Sequence, residues 1–205
     1  MHVAEYNAIA AVSEALLETL QVGISERSDV ISLSESEIVL DSPDNVGDEA
    51  DTRLSLFLYD VERSTNRQHR TINENNVRSG RPLSLKLHYL LTAYPSSAGT
   101  SETASTSDQH HAFGLALQVL HDNGILTGEA LGDSFDDDTK LTVKMDSEDG
   151  TIPRIWDSFR DVPLQPSVTY TVETVHIESR REERVTRVTE RTFETERDDV
   201  PDTHD

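Results

Sequence analysis

Residues 53–62, RLSLFLYDVE, constrain the fold more than any other stretch. Strand side chains alternate with a period of two. Leu54, Leu56 and Leu58 therefore share one face, and Phe57, Tyr59 and Val61 share the other. A strand that is apolar on both faces must be covered on both, which places it in the interior of a sheet. A second strand follows at 83–93, LSLKLHYLLTA. Leu83, Leu85, Leu87, Tyr89 and Leu91 form one face against Ser84, Lys86 and His88, and Pro95 stops it.

The covering layers come from helices. Residues 3–20 carry Ile9, Val12, Leu16 and Leu20 at helical spacing, with Ala8 and Leu17 beside them and Gly23 placed to end the helix. A second helix is expected over 107–123, with a Thr106/Gln109 capping box, a Phe113–Leu117–Leu120 stripe and Gly124 as its C-terminal cap. Further strands are expected at 30–33, 37–40, 139–145 and 168–177, and a short helical turn begun by Pro153 at 152–160. Residues 96–108 read as a mobile Ser/Thr linker, and 124–138 as a Gly/Asp-rich loop. No internal repeat is visible. The fold class is α+β: a mixed or mostly antiparallel sheet with two main amphipathic helices packed on it, plus a C-terminal β-ribbon or extended arm. The organisation is a domain over 1–178 and a charged arm over 179–205.

Charge narrows the partners. The chain has 39 acidic residues against 18 basic ones, a net charge of −21. Such a surface repels phosphates and anionic lipid, so nucleic acid and membrane are not expected partners. Only Lys86, Lys140 and Lys144 are lysines; the other basic residues are arginines. Acid-rich, lysine-poor chains resemble proteins of hosts with molar salt. There the Debye length is about 3 Å and self-repulsion is screened. There is no cysteine, hence no disulfide or thiolate site. No apolar run approaches the roughly 18 residues of a membrane span. Residues 1–20 lack a basic region and carry Glu5, Glu14 and Glu18, unlike a signal peptide. A cytoplasmic protein, assembled into a particle that leaves the cell, is the expectation.

No catalytic motif is present: no GxSxG elbow, no phosphate-binding Gly loop, no HExxH. His110 and His121 are eleven residues apart on one helix, three turns distant and too far for one metal ion. Asp136–Asp138 and the run 146–150 lack the alternating ligand spacing of calcium loops. Trp156 is better placed to close a core than to recognise a ligand. Asn73, Asn75 and Asn76 read as turn formers. No catalytic residue, cofactor or metal is expected.

Several ordered blocks carry a family resemblance: LSLFLYDV, LSLKLHYLLTAYP, HHAFGLALQVLHDNG and WDSFRDVPLQPSVTYTV. Together, from about residue 3 to 177, they resemble the N-terminal domain of the cap family of contractile injection systems, of the antifeeding-prophage and Photorhabdus-virulence-cassette type. The resemblance implies a structural cap that ends the tube and sheath as a homo-oligomeric, hexameric ring. The implied partners are the inner tube protein and the sheath protein. A baseplate or tube-completion adaptor of the same particle is the other reading.

Two segments lie outside that resemblance or are atypically polar. The connection at 63–82 is long for a compact domain, and loops of such length tend to be functional or disordered. The arm after 178 is rich in Thr, Val and Arg at alternating positions, which favours a strand. With 168–177 it is expected to form a polar hairpin turning near 179–183, stable only with a partner and otherwise disordered. The candidate partner contacts are Arg180, Arg181, Arg184, Arg187, Arg191 and Phe193 on the arm, and Arg67, Arg70 and Arg78 on the long connection.

Overall fold

A computed structural model describes residues 6–27, 31, 33–46, 51–64, 77–96, 101–146, 150–179 and 181–184. The main sheet has six strands: β1 (Ile38–Val39), β2 (Leu54–Arg63), β4 (Leu83–Ala93), β5 (Ile125–Thr127), β6 (Lys140–Asp146) and β7 (Ser167–Ile177). Their spatial order is β1-β2-β4-β7-β6-β5. Only the β1–β2 pair is parallel; the others are antiparallel. β3 (Val77–Ser79) and β8 (Glu182–Arg184) form a separate two-stranded ribbon. The architecture is the expected α+β fold with a mixed sheet, and β2 is an interior strand.

Two long helices cover one face, α1 (Ala8–Ser25) and α2 (Glu102–Asp122). The core beneath them takes Leu54 and Leu56 from β2, Leu85, Leu87, Tyr89 and Leu91 from β4, and Tyr170, Val172 and Val175 from β7. The opposite face is thinner. Leu90 and Phe57 lie side by side there, and α4 (Thr151–Trp156) with its following turn covers them. Trp156 and Phe159 meet edge to face at 5.7 Å, and Phe159 meets Phe57 at 6.0 Å. The only tryptophan is buried in this second cluster, as the core reading expected.

α1 starts and ends later than the sequence suggests. It continues through Gly23, which lies inside the helix where α1 crosses α2. A Cβ at Gly23 would sit 2.5 Å from a Val119 methyl. The glycine permits close helix approach instead of ending the helix. By length and mean hydropathy α1 is also apolar enough to cross a membrane, contrary to the expectation that no segment approached this. It is amphipathic, however. Its apolar face is buried on the sheet while Glu14 and Glu18 are exposed.

α2 begins at Glu102, well before the expected start, so half of the supposed linker is helical. Ser101 is its N-cap, accepting from the Ala104 amide. Thr106 lies inside the helix. Gln109 is buried and donates to the Ala93 carbonyl and the Gln165 side chain. The buried stripe runs through Ala112, Leu115, Ala116, Val119 and Leu120, while Phe113 and Leu117 are half-buried beside it. Small residues at the centre of the stripe let the two helices approach closely. Asn123, not Gly124, is the C-terminal cap.

Other differences lie in short elements. The supposed loop at 124–138 contains β5, the one-turn helix α3 (Gly128–Leu131) and a 3-10 turn. Gly128 is required there, because a Cβ would collide with the Asp136 carbonyl oxygen. The strand expected at 37–40 shortens to β1; that at 30–33 falls largely outside the described residues.

Two β-bulges shift the faces. In β2 the register skips Tyr59, so Val61 opposes Leu87 instead of continuing the Phe57 face. In β7 Glu173 and Thr174 together oppose Lys86. Thr174 has φ of 74°, a strained conformation for a β-branched residue. The bulge sets Glu173 between Lys86 (3.6 Å) and Lys144 (2.6 Å).

Candidate assembly interface

Among the described residues, the expected hairpin between 168–177 and the arm is not present. β8 pairs instead with β3, in the long connection before β4. The register is Val77–Arg184, Arg78–Glu183 and Ser79–Glu182, and the Gly80 amide donates to the Arg181 carbonyl at 2.7 Å. The physical reason is geometric. β4 and β7 are antiparallel neighbours, with Leu83 opposite Ile177. The chain entering β4 and the chain leaving β7 therefore emerge side by side and continue the same pairing outward.

This pairing joins the two segments the sequence singled out separately. Arg78 and Arg184 lie on the ribbon, and Arg181 is exposed just before β8. Arg180, Arg187, Arg191 and Phe193, with Arg67 and Arg70, lie outside the described residues. Arg63 and Arg81 were not singled out, yet both are exposed at the same end of the sheet. The signal for them was the arginine spacing across the whole connection.

The sheet edges are short. β1 is two residues and β5 three, so β1 covers the outer edge of β2 only at Leu54 and Ser55, and among the described residues no strand pairs with the rest of that edge. The ribbon has three residues per strand. A two-stranded element of that size is marginal alone.

A polar cluster was missed by the sequence. On the thin face, the His88 Nδ1 lies 3.0 Å from the Thr171 hydroxyl and its Nε2 lies 3.6 Å from a Glu62 oxygen. Thr171 Oγ1 also lies 3.4 Å from Asp146 Oδ2. These residues come from four strands, β2, β4, β6 and β7, so no local motif could show them. The hydroxyl is buried between the imidazole and the carboxylate and presents no attacking oxygen to a substrate. Among the described residues, no group of three or more His, Asp or Glu side chains is placed to hold a metal ion. His110, His111 and His121 are exposed on α2.

Comparison with known families decides the chain's kinship. The Pvc16 N-terminal domain family matches residues 11–191. The chain belongs to the Pvc16 N-terminal domain family. The match runs beyond 177 and includes β8. Solved structures share the Pvc16 N-terminal domain fold. One is the sheath/tube terminator, in the extended state, of the PVC extracellular contractile injection system. It superposes with a TM-score of 0.60 at 16% identity, over 95% of this chain and 65% of that one. Another is the tube-terminating cap of the anti-feeding prophage, with a TM-score of 0.52 at 19% identity, over 77% and 55%. This Pvc16-type chain thus spans just under two thirds of the terminator and just over half of the cap. No curated protein sequence matches the chain.

Proposed function

We propose that this chain is a structural cap that terminates the distal end of the tube and sheath of a contractile injection particle. The supporting observation is its family membership over residues 11–191, on a fold shared with two tail terminators. In this reading the protein is not an enzyme. Its partners are the inner tube protein, the sheath protein and further copies of itself in a hexameric ring. It assembles in the cytoplasm into a particle that is then released, and neither nucleic acid nor membrane is a partner.

A contractile tail is a stack of rings, and its last ring has an unpaired face that would accept another. A cap must match that face on one side and refuse a further ring on the other. A surface carrying most of a −21 net charge serves the second need. The same acidity with only three lysines favours a high-salt host. The arm at 179–205 is then a strand-bearing contact element on a domain spanning 1–178.

Particles from a strain lacking this gene test the reading. Tubes of uncontrolled length, or tubes without sheath, are expected. Particles of normal length and sheath would overturn it. An adaptor role at the baseplate or at tube completion would instead leave particles without an assembled base.

A further inference from the structure

The outer edge of β2 is open where the chain bends away from it. The Tyr94 amide donates to the Arg53 carbonyl at 2.9 Å. By strand alternation Arg53, Ser55 and Phe57 turn their backbone groups to β4, and Leu54, Leu56 and Leu58 turn theirs outward. β1 meets only Leu54 and Ser55. The chain then leaves at Leu40 and turns, with the Asp41 carboxylate accepting from the Ser42 amide and the Asn45 side chain. Between that turn and β2 lies a groove of about 310 Å³, lined by Leu40 and Asp41 on one side and Leu56, Phe57 and Leu58 on the other. Ser13 of α1 also lines it, so it opens on the helix-bearing face. Past the groove the edge closes. The β-bulge at Tyr59 interrupts the regular ladder, and the Asp60 carboxylate takes the Val61 amide at 2.8 Å. Among the described residues, no backbone group meets the outward N–H and C=O of Leu58.

We propose that this groove receives a short extended segment of a different protein, which pairs with the β2 edge at Leu56–Leu58 and alternates apolar with basic residues. The proposal goes beyond the cap reading and does not rest on it. Edge pairing supplies main-chain hydrogen bonds, and alternate side chains supply specificity. On the helix-bearing face the segment meets Leu58 and the partly exposed Leu40, which calls for apolar side chains. On the other face it approaches Asp60 and Glu62, exposed carboxylates in register with His88 and Lys86, which calls for basic ones. The regular stretch stops at the bulge, so the segment is short. A two-fold pairing of two β2 edges would bring two acid-bordered edges together, which is why a second copy is not the occupant.

The test uses the full chain and a short synthetic peptide of alternating valine and arginine. In a titration of isotope-labelled protein followed by nuclear magnetic resonance, the peptide should shift Leu40 and Leu56–Leu58 and slow exchange of the Leu58 amide. Two peptide controls leave the protein untouched. N-methylation of alternate peptide amides removes the donors that face β2 and should weaken binding by about tenfold or more. Replacing the peptide's arginines by glutamates should weaken it as much. L40E puts a charge on the groove wall at a partly exposed position; it should keep the circular dichroism of a folded protein and also bind about tenfold more weakly. The proposal is overturned if the arginine peptide does not bind at about 1 mM, if the N-methylated or glutamate peptide binds as tightly, if folded L40E binds as the parent does, or if the shifts map to another surface. Self-association of the parent in sedimentation velocity that is lost in L40E would also overturn it, by making a second copy the occupant. The gene-deletion phenotype is unaffected by any of these results, so the two readings fail independently.

Discussion

Replacing Gly23 by alanine sets two effects of opposite sign against each other. In an isolated helix the change stabilises by about 1 kcal/mol, because glycine is a poor helix residue. Here the new Cβ would lie 2.5 and 3.0 Å from the two Val119 methyls, where carbon contacts relax only near about 3.5–4.0 Å. Valine in a helix has one strongly preferred rotamer, so Val119 cannot swing aside cheaply. The helices must part by roughly 1 Å, and overpacking of this kind costs about 1–3 kcal/mol. Gly23→Ala is therefore expected to destabilise by about 1 kcal/mol net. In a Val119→Ala background the clash is gone, and the same substitution should stabilise by about 1 kcal/mol. The assay is urea unfolding of the four proteins of this cycle, followed by Trp156 fluorescence and far-ultraviolet circular dichroism. If Gly23→Ala stabilises in both backgrounds, α1 and α2 do not meet closely at this point and the packing argument fails.

Other perturbations address other parts of the molecule. Trp156→Ala removes the buried ring that packs edge to face on Phe159, the residue that meets Phe57, and should cost about 3 kcal/mol; a loss under about 1 kcal/mol in thermal unfolding would show that the thin face has no real core. Glu173 has its carboxyl held below the ordinary value, first by the Lys144 hydrogen bond and then by the charges of Lys144 and Lys86. Its stabilisation is present above the unfolded carboxyl value of about 4.5 and is lost as pH falls through the lowered folded value. As a partly exposed ion pair it is worth about 0.5 kcal/mol, so Glu173→Gln should cost that much near pH 7 at low salt and nothing near pH 2. His176 is pushed the other way for a base: burial lowers it below 6.5. The unfolded chain then binds a proton that the folded one refuses, so stability should fall as pH drops below about 6.5. His176→Gln should flatten that slope in denaturant titrations between pH 7.5 and 5.5; an unchanged slope would mean that the imidazole is free to charge in place.

Long periodic segments were legible in the sequence and short or junctional features were not. β4 shows its alternation over eleven residues, and Leu85, Leu87, Tyr89 and Leu91 are buried as the pattern requires, while Leu83 at its start is exposed. The same rule misplaced Val61, because a bulge at Tyr59 inserts one residue and reverses the alternation after it. Gly23 and Gly124 both looked like helix ends. One is a packing position and the other precedes an edge strand, a distinction set by neighbours far along the chain. β5 and α3 are too short for any periodicity to accumulate. At the candidate interface, arginine enrichment is what set both segments apart in the sequence. Their pairing was invisible because Arg78 and Glu183 are 105 positions apart and meet only once β4 and β7 are side by side. The family resemblance drew on the same ordered blocks that build the sheet and α2.

The central claim is that this chain ends the tail, and its location in an intact particle tests that most directly. Electron cryomicroscopy of extended particles should place density for its six-stranded sheet and two crossing helices on the last tube and sheath ring, at the end away from the baseplate. Density for this fold at the baseplate, or its absence from the distal end of otherwise complete particles, would contradict the account.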